Sequence, residues 1–348
     1  MSARWILGFL VSGCATCHLY RPQASIENFD QSEQYLLSHY LRRTTFELRD
    51  VPLHSDQHIH TLVVHPQSQE DSSKPSLVLV HGWGAGLAQW AKNIDDLSQH
   101  YNIYAIDLLG FGRSSRPYFP RSPHATPQQA RDFWVESLHE WKTEVFGSEP
   151  VIFVGHSLGG YLACSYALEH PEHLKYFFMI APVGIAPWKF SGEGSSLWKI
   201  TRTLVWDYGL TPQALLRATG YASQRIWMEI GKQTEYRDLT KEVWAYFYYA
   251  KMQEPSGERA FVNLLTQNGW GDPLMNKLDD LKVPGYIIYG DRDWVPGPRY
   301  GPEIVRRAPL IQYEVFSDAG HHFYWSHADT FNRVLIRQGS DALRQHKE

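Results

Sequence analysis

Val151-Ile152-Phe153-Val154-Gly155-His156-Ser157-Leu158-Gly159-Gly160 passes from one kind of structure to another without a spacer. Its first four residues are apolar and largely β-branched or aromatic, which suits a buried strand. Gly155-x-Ser157-x-Gly159 follows, and Gly160 to Leu168 reads as a helix. Strand, G-x-S-x-G and helix in that order make a nucleophile elbow. So tight a turn forces Ser157 into strained backbone geometry, and side chains two residues away on either side would clash, hence Gly155 and Gly159. Ser157 is left at a strand tip, over a helix N-terminus whose dipole favours negative charge.

Working outward, the chain alternates strand and helix on both sides of this stretch. Residues 21–45 read as a helix with Ile26, Phe29, Tyr35, Leu36 and Tyr40-Leu41 apolar among polar neighbours. Thr44 to Val64 reads as an antiparallel hairpin, and Gln67 to Pro75 as a polar loop. Leu77 to Val80 is a central strand, followed by a helix at about 89–98. A strand at Tyr101–Ile106, a helix at 126–145 and a strand at Phe177–Ile180 complete this half. The alternation argues a mostly parallel sheet with helices on both faces, an α/β fold. It stops near 185 and resumes near 276 with strands at Gly285–Tyr289 and Ile311–Phe316 and a last helix at Phe331–Leu343. The interruption is rich in large apolar residues, among them Trp188, Trp198, Trp206, Trp227, Trp244 and Phe247, and reads as an inserted helical cap. The expected organisation is an N-terminal lipid-surface segment and helix (1–45), a core (46–184), the cap (185–275) and the rest of the core (276–348).

A serine hydroxyl is a weak nucleophile until a base takes its proton. The base is expected in the loop after the last strand, Ser317-Asp318-Ala319-Gly320-His321-His322, with His321 preferred and His322 as alternative. The histidine needs an acid to fix its tautomer and stabilise the imidazolium. Strand Tyr286–Tyr289 ends in Gly290-Asp291-Arg292-Asp293, at the carboxyl edge of the sheet where such sites assemble. Asp293, clear of the strand, is preferred; Asp291 is the alternative and suits bracing of the turn. Ser157…Asp293…His321 is the triad order of α/β-hydrolases. Two donors are needed for the tetrahedral oxyanion. The backbone N–H of Leu158 is one, and that of Trp83, in His81-Gly82-Trp83-Gly84, is the other. No metal or organic cofactor is expected.

At 348 residues and 43% apolar content, the chain suits one large α/β domain carrying an insertion. A net charge of −4 gives no reason to expect nucleic acid. With 13 Trp, 20 Tyr and 16 Phe the chain is rich in aromatics, which suits apolar binding surfaces and membrane interfaces. Cys14, Cys17 and Cys164 cannot form a disulfide framework. The apolar run Trp5–Val11 is too short to span a bilayer. It reads as an interfacial anchor, with Cys14 or Cys17 open to acylation. Val11-Ser12-Gly13-Cys14 also resembles a lipoprotein cleavage box, and Cys14-Ala15-Thr16-Cys17-His18 fits c-type haem attachment, but the remaining chain reads as a hydrolase. No Asn-x-Ser/Thr site is present, and the expected location is intracellular, in cytoplasm or mitochondrion, peripheral to a membrane or lipid droplet.

Several segments together resemble the α/β-hydrolase-domain proteins 4 and 5 with their plant and fungal relatives. They are His81-Gly82-Trp83-Gly84, Asp107-Leu108-Leu109-Gly110-Phe111-Gly112-Arg113-Ser114-Ser115-Arg116-Pro117, the elbow, Gln253-Glu254-Pro255-Ser256-Gly257-Glu258-Arg259-Ala260-Phe261, and Gly320-His321. The resemblance runs from about residue 30 to 335, and the Pro-Ser-Gly-Glu segment is its most diagnostic part. It implies action on lipids. One branch deacylates phospholipids and lysophospholipids, N-acyl-phosphatidylethanolamines included. The other is a lipid-droplet co-activator of a triglyceride lipase, with a lipase and a droplet coat protein as partners, and its vertebrate members lack the serine. Ser157 therefore implies a hydrolase, and Trp5 fits the family's lipid-binding N-terminal tryptophans. The family's His-x-x-x-x-Asp, linked to lysophosphatidic acid acyltransferase activity, ends here in Ser326, which argues against that role. The family's later acid position is Pro296, which leaves Asp293 as the substitute. Arg292 and Gly320 match positions linked to lipase activation.

Overall fold

The computed structural model describes residues 26–65, 74–187, 205, 210–232, 239–266 and 269–345. Trp5, Cys14, Cys17 and the cap tryptophans Trp188, Trp198 and Trp206 lie outside them, as does the stretch 21–25.

Strands β1 (Phe46–Leu53), β2 (Gln57–Val64), β3 (Ser76–Val80), β4 (Asn102–Ile106), β5 (Val151–His156) and β6 (Leu174–Ile180) build most of the sheet. The two-residue strands β7 (Leu265–Thr266) and β8 (Gly269–Trp270) pair apart from it, and β9 (Gly285–Gly290) and β10 (Ile311–Phe316) complete it. The order across the large sheet is β1-β2-β4-β3-β5-β6-β9-β10. All neighbours from β4 to β10 run parallel, whereas the β1–β2 hairpin joins antiparallel at one edge. β3 and β5 are completely buried, as strands covered on both faces must be, so they read as unbroken apolar runs rather than alternating ones. The chain leaves β3 toward β4 on one side and reaches β5 on the other, which makes the β3/β5 boundary the switch point where a crevice opens at the carboxyl edge.

Local chemistry sets the element limits. Helix Pro127–Phe146 begins with a full capping box, in which the Gln129 amide N–H donates to Thr126 Oγ1 at 3.1 Å and the Thr126 N–H to Gln129 Oε1 at 2.9 Å. Its Trp134 and Trp141 are wholly buried, and each indole N–H has an acceptor, the Leu109 carbonyl and Thr61 Oγ1, both at 3.0 Å. The helix expected over 21–45 is described from Ile26 to Tyr40; it stops short of residue 45 because β1 claims the chain from Phe46. The helix expected at 89–98 starts as a 3-10 turn, Leu87–Trp90, before Ala91–Leu97. The final helix is longer than expected, Ala328–Gln345.

The inserted region contains helices Pro212–Ala218, Ser223–Lys232, Lys241–Met252 and Gly257–Leu264, together with the β7–β8 pair that an all-helical reading of 185–275 omitted. Two segments singled out in the sequence meet here. The Gly257 N–H donates to the Gly110 carbonyl at 3.1 Å, and Gly110 holds a left-handed φ of 83°. A Cβ on Gly110 would collide with the Gly257 backbone, so the close approach requires glycine. Glu258 is buried against both Arg217 and Thr211, and Arg217 also donates to the carbonyls of Lys251 and Gln253. Helix Ile26–Tyr40 lies on the same insertion, with Phe29 stacked on Tyr246 at 5.2 Å between ring centres.

Candidate active site

Ser157 follows β5 directly and precedes helix Leu158–Glu169, with φ 54° and ψ −111°. A side chain in that conformation is strained. The neighbours explain how it is held. A Cβ on Gly155 would collide with the Gly159 carbonyl, and one on Gly159 would stand 2.5 Å from the Val80 carbonyl oxygen. The Ser157 N–H donates to the Ile180 carbonyl at 2.8 Å, and its own carbonyl accepts from Tyr161 at 3.1 Å. Ser157 is 7% exposed, at the wall of a cavity.

His321 lies on the loop after β10 and lines the same cavity. Its Nδ1 faces Asp293, 2.9 Å from Oδ1 and 3.1 Å from Oδ2. The Asp293 side chain is fully buried, and its Oδ1 accepts the Val295 N–H at 2.9 Å, which fixes the carboxylate's orientation. Asp291 does something else. Its exposed carboxylate accepts the backbone N–H groups of Asp318 and Ala319, each at 3.0 Å, and those bonds hold its pKa below the ordinary carboxylate value. It braces the loop that carries His321. His322 is turned into the cavity wall beside Tyr324, at 2.7 Å from its hydroxyl, and burial pushes its pKa well down, with His156, His321 and Lys251 adding to the effect.

The loop after β3 runs His81-Gly82-Trp83-Gly84. His81 is buried and kept neutral by desolvation, so its two nitrogens split their roles. Nε2 accepts the Leu108 N–H at 2.9 Å and Nδ1 donates to the Gly82 carbonyl at 2.7 Å. Gly82 itself packs within 3.2 Å of Ser157 Cβ as judged by a Cβ placed on it. Trp83, next in the chain, lines the same cavity as Ser157, and among the described residues its backbone N–H is committed to no hydrogen bond. The Leu158 N–H stands first in its helix, where amides have no intrahelical acceptor.

Three residues at this place escaped the sequence reading. His156, inside the G-x-S-x-G itself, donates from Nε2 to the His321 carbonyl at 3.0 Å and so ties the histidine loop to the elbow; burial keeps it neutral. Lys251 reaches in from helix Lys241–Met252, and Gln213 from helix Pro212–Ala218. The signal for Lys251 was a single cation directly after the run Val243-Trp244-Ala245-Tyr246-Phe247-Tyr248-Tyr249-Ala250.

The cavity holds about 480 Å³ and is walled by apolar groups such as Trp227, Trp244, Phe247, Phe261, Val183 and Leu216, with Trp294 half exposed and its ring tilted against His321 at 4.9 Å between centres. That is the size and character of a site for an apolar ligand of moderate length. Another hollow of about 530 Å³, lined by Gln224, Lys241 and Trp244, contains none of the candidate catalytic groups. Among the described residues no cluster of His, Cys, Asp and Glu has the arrangement of a metal site.

A family model described as the alpha/beta hydrolase fold matches residues 75–328. A human (lyso)-N-acylphosphatidylethanolamine lipase is 31% identical over 306 residues, covering 83% of this chain and 85% of the relative. The human 1-acylglycerol-3-phosphate O-acyltransferase ABHD5 is 31% identical over 328 residues, covering 89% of each chain. Among solved structures, a bacterial membrane phospholipase A superposes with a TM-score of 0.64 at 19% identity, over 98% of this chain and 99% of the other, a likeness of fold.

Proposed function

The chain belongs to the alpha/beta hydrolase family, in the branch of the lipase and acyltransferase relatives just described, and on that premise we propose that it is a serine hydrolase. Its substrates are glycerophospholipids or lysophospholipids, N-acyl-phosphatidylethanolamine types included, deacylated at a membrane or lipid-droplet surface. One observation carries the reading: a strained serine, and a histidine paired with a buried carboxylate, line one largely apolar cavity.

In this mechanism His321 Nε2 takes the Ser157 proton as Oγ attacks the ester carbonyl. Asp293 keeps the other proton on Nδ1 and balances the imidazolium charge. The Leu158 and Trp83 amides receive the oxyanion. Collapse of the tetrahedral intermediate returns the proton to the leaving alcohol, and water then cleaves the acyl-enzyme by the same route. The apolar cavity takes the acyl chain. The cap is 185–275, the two parts of the core are 46–184 and 276–348, and 1–45 supplies the lipid-surface segment and its helix. Among the described residues no helix is long and apolar enough to cross a membrane.

The test is acyl release from phospholipids, lysophospholipids, N-acyl-phosphatidylethanolamine and triglyceride in mixed micelles, wild type against Ser157→Ala, with fluorophosphonate labelling in parallel. Serine-dependent release names the substrate class. Absence of both release and labelling refutes the hydrolase.

A further inference from the structure

Lys251 is a largely buried cation without a counter-ion among the described residues. Its Nζ makes one hydrogen bond, to the Gly84 carbonyl at 2.8 Å. Around it stand three aromatic faces, with ring centres 4.8 Å (Trp227), 5.2 Å (Phe247) and 6.0 Å (Trp83) from Nζ. An ammonium has three donors, so two remain uncommitted. Desolvation alone pushes its pKa down to about 7. Such a site is costly for a positive charge unless something else neutralises it.

The neighbours are also incompletely satisfied. Gln213 is 3% exposed, and its Oε1 has no partner among the described residues. Its Nε2 and the Lys251 ammonium both press on Gly84, at 3.0 and 3.2 Å from a Cβ placed there. Trp83 Nε1 and Gln89 Nε2, both on the cavity wall, are buried donors without acceptors among the described residues. One orphaned group is ordinary; four incompletely satisfied polar side chains on the wall of one cavity describe a place for a polar ligand group. An apolar acyl chain satisfies none of them.

We propose that Lys251, with Gln213 beside it, forms an anion subsite that holds the phosphodiester of the substrate while its ester carbonyl lies at Ser157. The inference rests on the phospholipid reading above and adds to it the group that selects the head of the lipid. Its position suits the task. Gly84 adjoins Trp83, whose amide faces the ester, and in a glycerophospholipid a glycerol unit separates ester from phosphate. Bound phosphate would accept from the spare ammonium protons and from Trp83 Nε1, and the Gln213 amide, turned over, would offer its NH2 group. The aromatic faces that stabilise the cation also exclude the water that would weaken its attraction to a bound phosphate.

The experiment compares 1-oleoyl-lysophosphatidylethanolamine with 1-oleoylglycerol in the same mixed micelles, for wild type, Lys251→Met and Lys251→Arg. Methionine retains the aliphatic packing. The ratio of kcat/KM for the phosphate-bearing over the neutral ester is expected to fall about tenfold or more in Lys251→Met and to recover in part in Lys251→Arg. An equal loss on both esters would assign Lys251 to support of the Gly84 loop and overturn the subsite, as would an unchanged ratio. Competitive inhibition of the wild type by inorganic phosphate, with an unchanged ratio, would make the site one for free phosphate and overturn the head-group assignment. Failure of the hydrolase reading shows separately, as loss of both ester release and fluorophosphonate labelling. In that event binding of water-soluble dihexanoyl-phosphatidylcholine, read by tryptophan fluorescence, decides: weaker binding by Lys251→Met supports the subsite and equal binding overturns it.

Discussion

Replacing Asp293 by Asn separates the two carboxylates near His321. In the wild type the carboxylate offers His321 Nδ1 an oxygen at 2.9 Å and another at 3.1 Å, and Oδ1 is also held by the Val295 N–H. With Oδ1 of asparagine kept by Val295, the amide nitrogen takes the second position and can only donate. That donor competes with the nearer Oδ1 for Nδ1 and draws the imidazole proton toward Nε2, where it blocks acceptance of the serine proton, and the imidazolium formed during attack loses its buried counter-charge. A wrong tautomer of this kind costs roughly 10⁴ in kcat, or about 5 kcal/mol of barrier at ~1.36 kcal/mol per tenfold. Asp291→Asn should differ sharply. Its carboxylate is exposed and accepts two backbone amides without touching the imidazole, so an asparagine oxygen retains one of those bonds. Its loss in kcat should stay within about tenfold. The assay is hydrolysis of a chromogenic acyl ester, with the rate of fluorophosphonate labelling as a second reading of serine reactivity. A loss below tenfold in Asp293→Asn, or an equal loss in Asp291→Asn, would refute the assignment.

Glu258→Ala leaves Arg217 facing carbonyls alone in a largely buried place; breaking such a pair should lower stability by about 3 kcal/mol, and an unchanged urea midpoint would show that the pair contributes nothing. His60 is buried between Glu33 and Asp50; burial alone would lower its pKa, but Glu33, Asp107 and Asp50 outweigh it and raise it from 6.5 to about 9. Its stabilising contribution is whole below pH 6.5 and lost as pH rises through 9. Wild type should therefore have a lower urea midpoint at pH 9 than at pH 6.5, and His60→Gln should show a smaller difference; a variant as steep as wild type would contradict this origin.

What the sequence disclosed was local. The elbow needs glycine at fixed offsets around Ser157, so its geometry is written in adjacent residues. Asp293 and His321 were accessible because each follows a strand, and strand ends gather at one edge of a parallel sheet. Lys251 was not accessible by that route. A lysine in a helix ordinarily reads as a solvated face, and its surroundings come from Trp83, Trp227 and Phe247, which only the folded chain brings together. Glu33 and His60 were hidden for the same reason: the carboxyl belongs to the first helix and the imidazole to β2, and burial between them pushes Glu33 up to about 7. The β7 and β8 strands are two residues each, too short for any periodicity to register.

The contact between Gly110 and Gly257 bears on how enzymes of this architecture can be recombined. The insertion looks exchangeable in sequence, a block placed between strands of a common scaffold. Its backbone nevertheless rests on the loop after β4 so closely that neither glycine tolerates a side chain. A chimaera that imports residues 185–275 alone would set the new cap against whatever loop the recipient carries. The unit that can be transplanted is the cap together with Asp107–Pro117, two segments distant in the chain that must travel as one part.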